Sequence, residues 1–210
     1  MKRIEHREQQ WAFPFVEYSP TNGGKKLPLV IQLHGAGERG NGLEELVYVD
    51  RLGFSKFIAD KEIDCLFVMP QCTQDTFWVA HIESVLKFID QIKAAYDVDE
   101  DRIYLTGISM GGYGTWYTAM ARPDLFAAIA PVCGGGMAWN AKVLTMPVWA
   151  FHGVNDNAVS VTQSDEMIEA LRKKNNEDVT YSRLEGVDHG VWTHAYNDEL
   201  YKWMMSKRRR

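Results

Sequence analysis

Short apolar runs rich in β-branched and aromatic residues alternate with stretches of helical period along most of this chain. Runs such as 27–34 and 102–107 predict buried strands, whereas Val85, Ile89 and Ile92 recur at the spacing of one helix face. Strands that alternate with helices form a mostly parallel sheet with helices on both faces. Reactive side chains in such folds gather at the carboxyl ends of the strands. The loops after the strands are therefore where functional residues are expected.

The composition is that of one compact domain. Of the 210 residues, 46% are hydrophobic and 24% are charged, which is typical of an α/β or α+β protein that buries a core without disulfides. We therefore predict a single domain over residues 1–210. The net charge of −5 argues against nucleic acid as a partner. No apolar run approaches the ~20 residues of a membrane span, so a small molecule is the expected partner.

The cysteine usage indicates a reducing compartment. Cys65, Cys72 and Cys133 are odd in number and form no C-x-x-C pair, so they do not make a complete disulfide framework. Residues 1–10 are charged and are not followed by the apolar segment of a signal peptide. We therefore expect a cytoplasmic protein, with a trimmed secreted form as the alternative.

The segment GISMG matches the pattern G-x-S-x-G between a predicted strand and a predicted helix, with Ser109 at its centre. A serine in this pattern lies on a sharp, strained turn where nearby side chains would collide, so Gly107 and Gly111 flank it. The amino end of the following helix points toward an oxyanion formed at the serine. A chance match in a chain with 17 glycines is the alternative. The strand before the motif and the helix after it favour Ser109 as a nucleophile.

A hydroxyl nucleophile needs a base, which a histidine after a later strand can supply. Three histidines follow Ser109, namely His152, His189 and His194. His189 lies between two glycines in the loop after the last predicted strand, which favours it as the base. His152 ends a strand, where it is expected to shape a loop, and His194 falls within the last predicted helix.

The base in turn needs an acid that orients its ring. Asp156 lies in the loop after the predicted strand 147–151, between the serine and the histidine in chain order. Asp165 falls on the next helix and Asp178 begins a strand. Asp188 adjoins the histidine, where capping is the expected role. Asp156 is therefore the predicted acid.

The loop LVIQLHGAGERGNG, residues 29–42, has Gly35, Gly37 and Gly40 in the G-x-G-x-x-G spacing of a dinucleotide site. Such a site also needs an acidic residue after the second strand and a helix that begins at the third glycine. Here the acidic residues come before that strand, and the sequence after Gly40 favours a loop. A nucleotide cofactor is therefore not expected.

An oxyanion hole fits this glycine-rich loop better. The backbone N–H of Ala36 or Gly37 can act as one donor, beside the N–H of Met110 at the start of the helix after the nucleophile. Histidine, cysteine and carboxylate residues do not have the spacing of a metal site. The sequence therefore predicts neither a metal nor another cofactor.

Five motifs occur in the same order from about residue 27 to the end: LHGAGERG, DRIYLTGISMGGYGTW, PDLFAAIAPVCGGG, PVWAFHGVNDNAV and GVDHGVW. In these motifs the chain resembles the small α/β-hydrolase esterases of the phospholipase/carboxylesterase and feruloyl-esterase-like group. The resemblance implies an α/β-hydrolase fold without a large lid. It also implies that Ser109, Asp156 and His189 form a catalytic triad, with the oxyanion donors named above.

The expected activity is hydrolysis of carboxylic esters through an acyl-enzyme. The resemblance indicates short-chain or hydroxycinnamoyl esters, of acetyl or feruloyl type, including those of plant carbohydrates. One alternative is a small serine peptidase of prolyl-oligopeptidase type, and another is a non-catalytic binding protein on a hydrolase scaffold. Substrate contacts are expected from Glu38, Trp78 and Trp192, with Trp139 as a weaker candidate, because these residues lie near predicted strand ends. The tryptophan rings could stack on a flat acyl group.

Overall fold

The computed structural model describes residues 1–23, 26–58, 61–173 and 178–209. The strands in these residues are β1 (Lys2–His6), β2 (Phe15–Ser19), β3 (Leu27–Leu33), β4 (Leu66–Pro70), β5 (Val98–Ile108), β6 (Ala128–Val132), β7 (Val148–Gly153) and β8 (Val179–Leu184). They form one sheet in the order β1-β2-β4-β3-β5-β6-β7-β8.

Most of this sheet is parallel, as the alternation of strands and helices predicts. β3 pairs in parallel with β4 and β5, and the parallel pairing continues through β6 and β7 to β8. β2 is antiparallel to both β1 and β4. The carboxyl ends of β3 and β5 to β8 therefore meet at one edge, where the sequence predicts the functional loops.

Helices cover both faces of the sheet, which is also the predicted arrangement. They are α1 (Phe54–Ile58), α2 (Ile82–Ala95), α3 (Met110–Ala121), α4 (Thr162–Lys173), α5 (Trp192–Ala195) and α6 (Asp198–Met205). One core cluster includes Val85, Trp116 and Met167 from α2, α3 and α4. The other includes Phe54 from α1 and Leu200 from α6. Among the helices of the described ranges, none has both the length and the apolar character needed to cross a bilayer.

Among the elements that differ from the sequence expectations are β1, the final helix and α4. β1 is not predicted, because its residues are charged and lie at the exposed edge of the sheet. The single final helix expected after His189 is divided into α5 and α6, since Asn197 accepts a hydrogen bond from the Leu200 N–H and so begins a new helix. The sequence SDEMIEALRKKN predicts a helix over residues 164–175. The helix in the structure is Thr162–Lys173, and the last two predicted residues lie outside the described ranges.

Candidate active site

Ser109 occupies a strained turn between β5 and α3. Its φ is 54°, a left-handed conformation that few non-glycine residues adopt and that costs about 1–3 kcal/mol. Its N–H donates to the Val132 carbonyl at 2.9 Å, so the end of β6 holds the turn. A Cβ atom at Gly107 would lie 2.2 Å from the Gly111 carbonyl oxygen. The glycines of the motif are therefore required by the close approach of backbone to backbone.

His189 contacts Ser109 from the loop after β8. Its Nε2 lies 3.0 Å from Ser109 Oγ. The imidazole is 28% exposed, so a bound molecule and water can reach it. The ring of Trp192 lies edge-on to the His189 ring, with the centroids 5.6 Å apart.

Asp156 lies on the far side of the imidazole, with its side chain fully buried. Its Oδ2 is 2.6 Å from His189 Nδ1, and its Oδ1 accepts hydrogen bonds from the Ala158 and Val159 N–H groups at 2.8 Å each. Burial raises the pKa of Asp156, but the hydrogen bonds from His189 and the two amides outweigh burial and leave this pKa below its ordinary value. The carboxyl group is therefore ionised at neutral pH.

This chain of contacts fixes the tautomer of the histidine. Because the Asp156 carboxylate accepts a hydrogen bond, His189 Nδ1 carries the proton and Nε2 is free to accept one from the Ser109 hydroxyl. The arrangement can therefore remove a proton from a serine and hold the positive charge beside a buried carboxylate.

The glycine-rich loop after β3 is held by the side chain and the backbone of His34. His34 Nδ1 donates to the Gly35 carbonyl at 2.6 Å, and Nε2 accepts from the Cys72 N–H at 2.9 Å. Burial lowers the pKa of His34 to about 4, so both nitrogens act as those of a neutral ring. Trp78 Nε1 donates to the His34 carbonyl at 3.0 Å. These bonds hold the backbone of His34 and Gly35, which immediately precedes Ala36.

Two residues with candidate oxyanion donors, Met110 and Ala36, line the same cavity as Ser109. Met110 begins α3, so its N–H has no acceptor within the helix. Ala36 lies in a 3₁₀ turn, Ala36–Glu38, and lines the same cavity as Ser109 and Met110. Gly37 is exposed and is not among the described residues that line this cavity. Of the two donors left open by the sequence, Ala36 is the one at the cavity.

A cavity of about 320 Å³ lies beside Ser109, and its wall is mostly apolar and aromatic. Its lining residues are Ala36, Phe77, Val79, Ser109, Met110, Tyr113, Tyr117 and Val159. The aromatic and valine residues of this wall are not among those expected from the sequence. Tyr113 and Tyr117 are four residues apart on α3, just after the nucleophile motif. This spacing is a signal that could have identified them.

Arg39 connects the two loops that border this cavity. Its Nε donates to the Ala36 carbonyl at 2.9 Å, and its Nη1 donates to the Thr76 carbonyl at 3.2 Å. The guanidinium also lies 5.2 Å from the centroid of the Phe77 ring. A cation over an aromatic face is attractive, so Arg39 holds Phe77 at the cavity wall.

One of the expected substrate contacts, Trp78, is corrected by the structure, and Glu38 and Trp139 are not among the described residues that line this cavity. Trp78 is fully buried in the core, because its indole N–H is turned inward to the His34 carbonyl. The carboxylate of Glu38 folds back over Gly35, and burial raises its pKa. Trp139 is 78% exposed and, like Glu38, is not among the described residues that line the cavity.

Three other candidates for base and acid, His194, Asp165 and Asp188, have other positions or partners. His194 is exposed on α5. Asp165 accepts hydrogen bonds from Tyr181 and Arg183, and Asp188 accepts one from the Gly190 N–H at 2.8 Å, which is the capping role expected for it.

Cys133 is a third potential metal ligand, beside Asp156 and His189. One ligand atom each of Cys133, Asp156 and His189 lies within 4.8 Å of the others, a proximity that the sequence does not indicate. Burial raises the pKa of the Cys133 thiol well above its ordinary value, so the sulfur is protonated. The carboxylate already accepts bonds from His189 and two amides. A metal would therefore have to displace hydrogen bonds that the site already makes.

Comparison with known proteins identifies relatives of this chain. Residues 79–139, which include the serine turn, match the model of the prolyl oligopeptidase family. The chain is 31% identical over 179 residues to the bifunctional acetylxylan esterase/xylanase XynS20E of Neocallimastix patriciarum. That alignment covers 79% of this chain and 25% of the relative, so the chain spans about a quarter of the length of that protein.

Solved structures share the whole fold. A thermostable esterase superposes with a TM-score of 0.82 at 30% identity, covering 99% of this chain and 63% of the esterase. A feruloyl esterase module from Clostridium thermocellum, complexed with sinapinate, superposes with a TM-score of 0.71 at 16% identity, covering 95% of this chain and 86% of the module. The chain has the α/β-hydrolase fold, as its sequence motifs predict.

Proposed function

We propose that this protein is a serine carboxylic ester hydrolase that acts through an acyl-enzyme. The observation that carries the proposal is the continuous chain from Ser109 Oγ to His189 and on to the buried Asp156 carboxylate, with distances of 3.0 and 2.6 Å. A nucleophile, a base and an orienting acid within hydrogen-bonding distance are the requirements of covalent acyl transfer.

In the first half of the reaction, Ser109 Oγ attacks the ester carbonyl carbon while His189 Nε2 takes the hydroxyl proton. The resulting oxyanion accepts hydrogen bonds from the N–H groups of Met110 and Ala36. The bond between the carbonyl carbon and the alcohol oxygen then breaks, and His189 returns the proton to the leaving alcohol. Asp156 stays ionised and stabilises the imidazolium ion between these steps.

In the second half, a water molecule attacks the acyl carbon on Ser109 while His189 removes one of its protons. The same two N–H groups stabilise the second oxyanion. The bond from the acyl carbon to Ser109 Oγ breaks, His189 returns the proton to that oxygen, and the carboxylic acid leaves. The enzyme is restored without any cofactor.

The cavity beside Ser109 supports esters with a short or flat aromatic acyl group. Phe77, Tyr113 and Tyr117 contribute aromatic surface to a space of about 320 Å³, and stacking between aromatic rings is worth about 0.5–1.5 kcal/mol beyond area burial. The similar proteins include an acetylxylan esterase/xylanase and a feruloyl esterase module. We therefore propose acetyl or hydroxycinnamoyl esters, including those of plant carbohydrates, as substrates.

A small serine peptidase is the second candidate, because residues 79–139 match the prolyl oligopeptidase family. The two activities differ in the leaving group, an alcohol or an amine. Hydrolysis of a nitrophenyl acetate, methyl ferulate and a matched nitroanilide separates them. We expect kcat/KM for the esters to exceed that for the amide by orders of magnitude. A higher value for the amide would favour the peptidase.

A fluorophosphonate probe tests the nucleophile directly. It should label the wild-type protein in proportion to its ester hydrolysis, and the mass increase should map to the peptide that contains Ser109. Labelling on another residue, or the absence of both labelling and ester turnover, would contradict the proposed function.

A further inference from the structure

A second histidine lies against the proposed catalytic acid. His152, at the end of β7, is fully buried, and its Nε2 is 3.3 Å from Asp156 Oδ2. This is the same carboxylate oxygen that lies 2.6 Å from His189 Nδ1. The sequence predicts only a loop-shaping role for His152, and the mechanism above does not use it.

The partners of His152 fix which of its nitrogens carries the proton. Nε2 also lies 3.0 Å from the Val159 carbonyl, so both groups that it faces are acceptors and Nε2 must be the donor. Burial lowers the pKa of His152, against the opposing effects of the Val159 carbonyl and of the charges of Asp156 and Asp165. Its other nitrogen, Nδ1, lies 2.7 Å from Ser164 Oγ, and the Ser164 hydroxyl donates its own proton to the Gly134 carbonyl.

These contacts hold the acid loop, residues 154–161 between β7 and α4, around the imidazole of His152. The N–H of Val159 donates to Asp156 Oδ1, while its carbonyl accepts from His152, so this residue is held on both sides. Ser164 on α4 fixes the other side of the ring and also lies 2.8 Å from the Gly134 carbonyl after β6. Burying an imidazole is unfavourable unless its nitrogens are hydrogen-bonded. A phenylalanine could fill the same volume without these partners.

We propose that His152 is a positioning residue, which holds Asp156 Oδ2 in line with His189 Nδ1 by presenting its Nε2–H to the Asp156 carboxylate and to the Val159 carbonyl. The inference rests on the proposed function, because His152 acts on the reaction only through Asp156 and His189. His152 keeps Asp156 in the position that orients the His189 ring while the imidazolium ion forms.

Replacement of His152 by two amides of different length tests this role. The amide nitrogen of His152→Gln can reach the position of Nε2, whereas that of His152→Asn is too short to reach Asp156. We expect His152→Asn to lower kcat for ester hydrolysis by about 10-fold to 100-fold, with KM changed by less than about twofold, because the acid is misplaced rather than the substrate site. His152→Gln should recover most of this loss.

Proton NMR supplies a readout that does not depend on turnover. The proton on His189 Nδ1, in a 2.6 Å bond to a carboxylate, should give a far-downfield resonance in the wild type and in His152→Gln. In His152→Asn this resonance should broaden by exchange with solvent. If both variants keep the resonance and the wild-type kcat and lose only thermal stability, His152 is a core residue and the inference is wrong.

The two proposals fail in different ways. If the wild type neither hydrolyses esters nor reacts with the fluorophosphonate probe, the proposed function fails, and the resonance still tests whether His152 positions Asp156. If the wild type is active and His152→Asn matches it in both kcat and resonance, only the inference about His152 fails.

Discussion

Gly111 packs against the carbonyl group of Leu33, so that a Cβ atom at this position would lie 2.0 Å from the Leu33 oxygen and 2.8 Å from that of His34. Both neighbours are backbone atoms at the end of β3, and backbone cannot move aside as the end of a flexible side chain can. The start of α3 is therefore seated directly on the strand that leads into the glycine-rich loop. This close approach brings Met110 and the 3₁₀ turn of Ala36 to the same cavity.

This packing predicts a difference between two glycine substitutions. Gly111→Ala should reduce the free energy of unfolding by about 3 kcal/mol or more, at or beyond the upper end of the usual cost of overpacking. Gly37→Ala is the matched control, since nothing lies within 4 Å of its added Cβ, and it should change stability little. Urea unfolding of both variants measures the difference. Equal stability of the two would contradict the packing described.

Substitutions of the proposed triad should abolish activity without unfolding the protein. Ser109→Ala and His189→Ala should each lower kcat for an ester by about 10³-fold to 10⁶-fold, because the triad acts as a unit. His194→Ala is the control, since His194 is exposed on α5, and it should retain nearly full activity. Circular dichroism and steady-state kinetics are the measurements. A severe loss in His194→Ala, or ester turnover retained in Ser109→Ala, would overturn the assignment.

The fold and the three residues of the proposed triad could be predicted because their signals are local. Apolar periodicity reports which face of an element is buried, and the spacing around Ser109 follows from a steric requirement of the turn. β1 is not predicted because an exposed edge strand has no apolar periodicity. The contact between His152 and Asp156 depends on how the acid loop folds back. The two residues are four positions apart in the sequence, and this spacing alone does not indicate the contact.

The cavity wall could not be predicted because neighbouring residues point in opposite directions. Phe77 is 54% exposed and lines the cavity, whereas Trp78 is fully buried. The direction of each ring is decided by a tertiary contact, the hydrogen bond from the Trp78 indole to the His34 carbonyl. Sequence reasoning favours the larger ring as the substrate contact, and the structure assigns the wall to its neighbour.

Alanine substitutions of these two neighbours should therefore have different consequences. Phe77→Ala should lower kcat/KM for methyl ferulate, relative to that for an acetyl ester, by up to about tenfold, which is the contribution of one aromatic contact, and should leave stability unchanged. Trp78→Ala should instead reduce the free energy of unfolding by about 3–5 kcal/mol, as for other buried aromatic residues. Kinetics on both esters and urea unfolding separate the effects. If only Trp78→Ala changes the preference for the aromatic ester, the cavity wall is wrongly assigned.

Acidification should destabilise the protein through His34. The pKa of the buried ring is lowered from 6.5 to about 4, so between these values the unfolded chain binds a proton that the folded protein does not. The free energy of unfolding therefore falls as the pH falls from 6.5 toward 4. This difference in pKa between the unfolded and folded states lowers the free energy of unfolding at pH 4.5 by about 2–3 kcal/mol.

A comparison with His34→Gln isolates this contribution, because glutamine does not titrate. Urea unfolding at pH 7 and pH 4.5 gives the loss of free energy of unfolding within each protein. Any difference in absolute stability between the two proteins therefore cancels. The wild type should lose about 2–3 kcal/mol more than the variant over this interval, since the remaining titratable groups act in both proteins. Equal losses would mean that His34 takes up its proton in the folded state, which would require Nε2 to give up the hydrogen bond that it accepts from the Cys72 N–H.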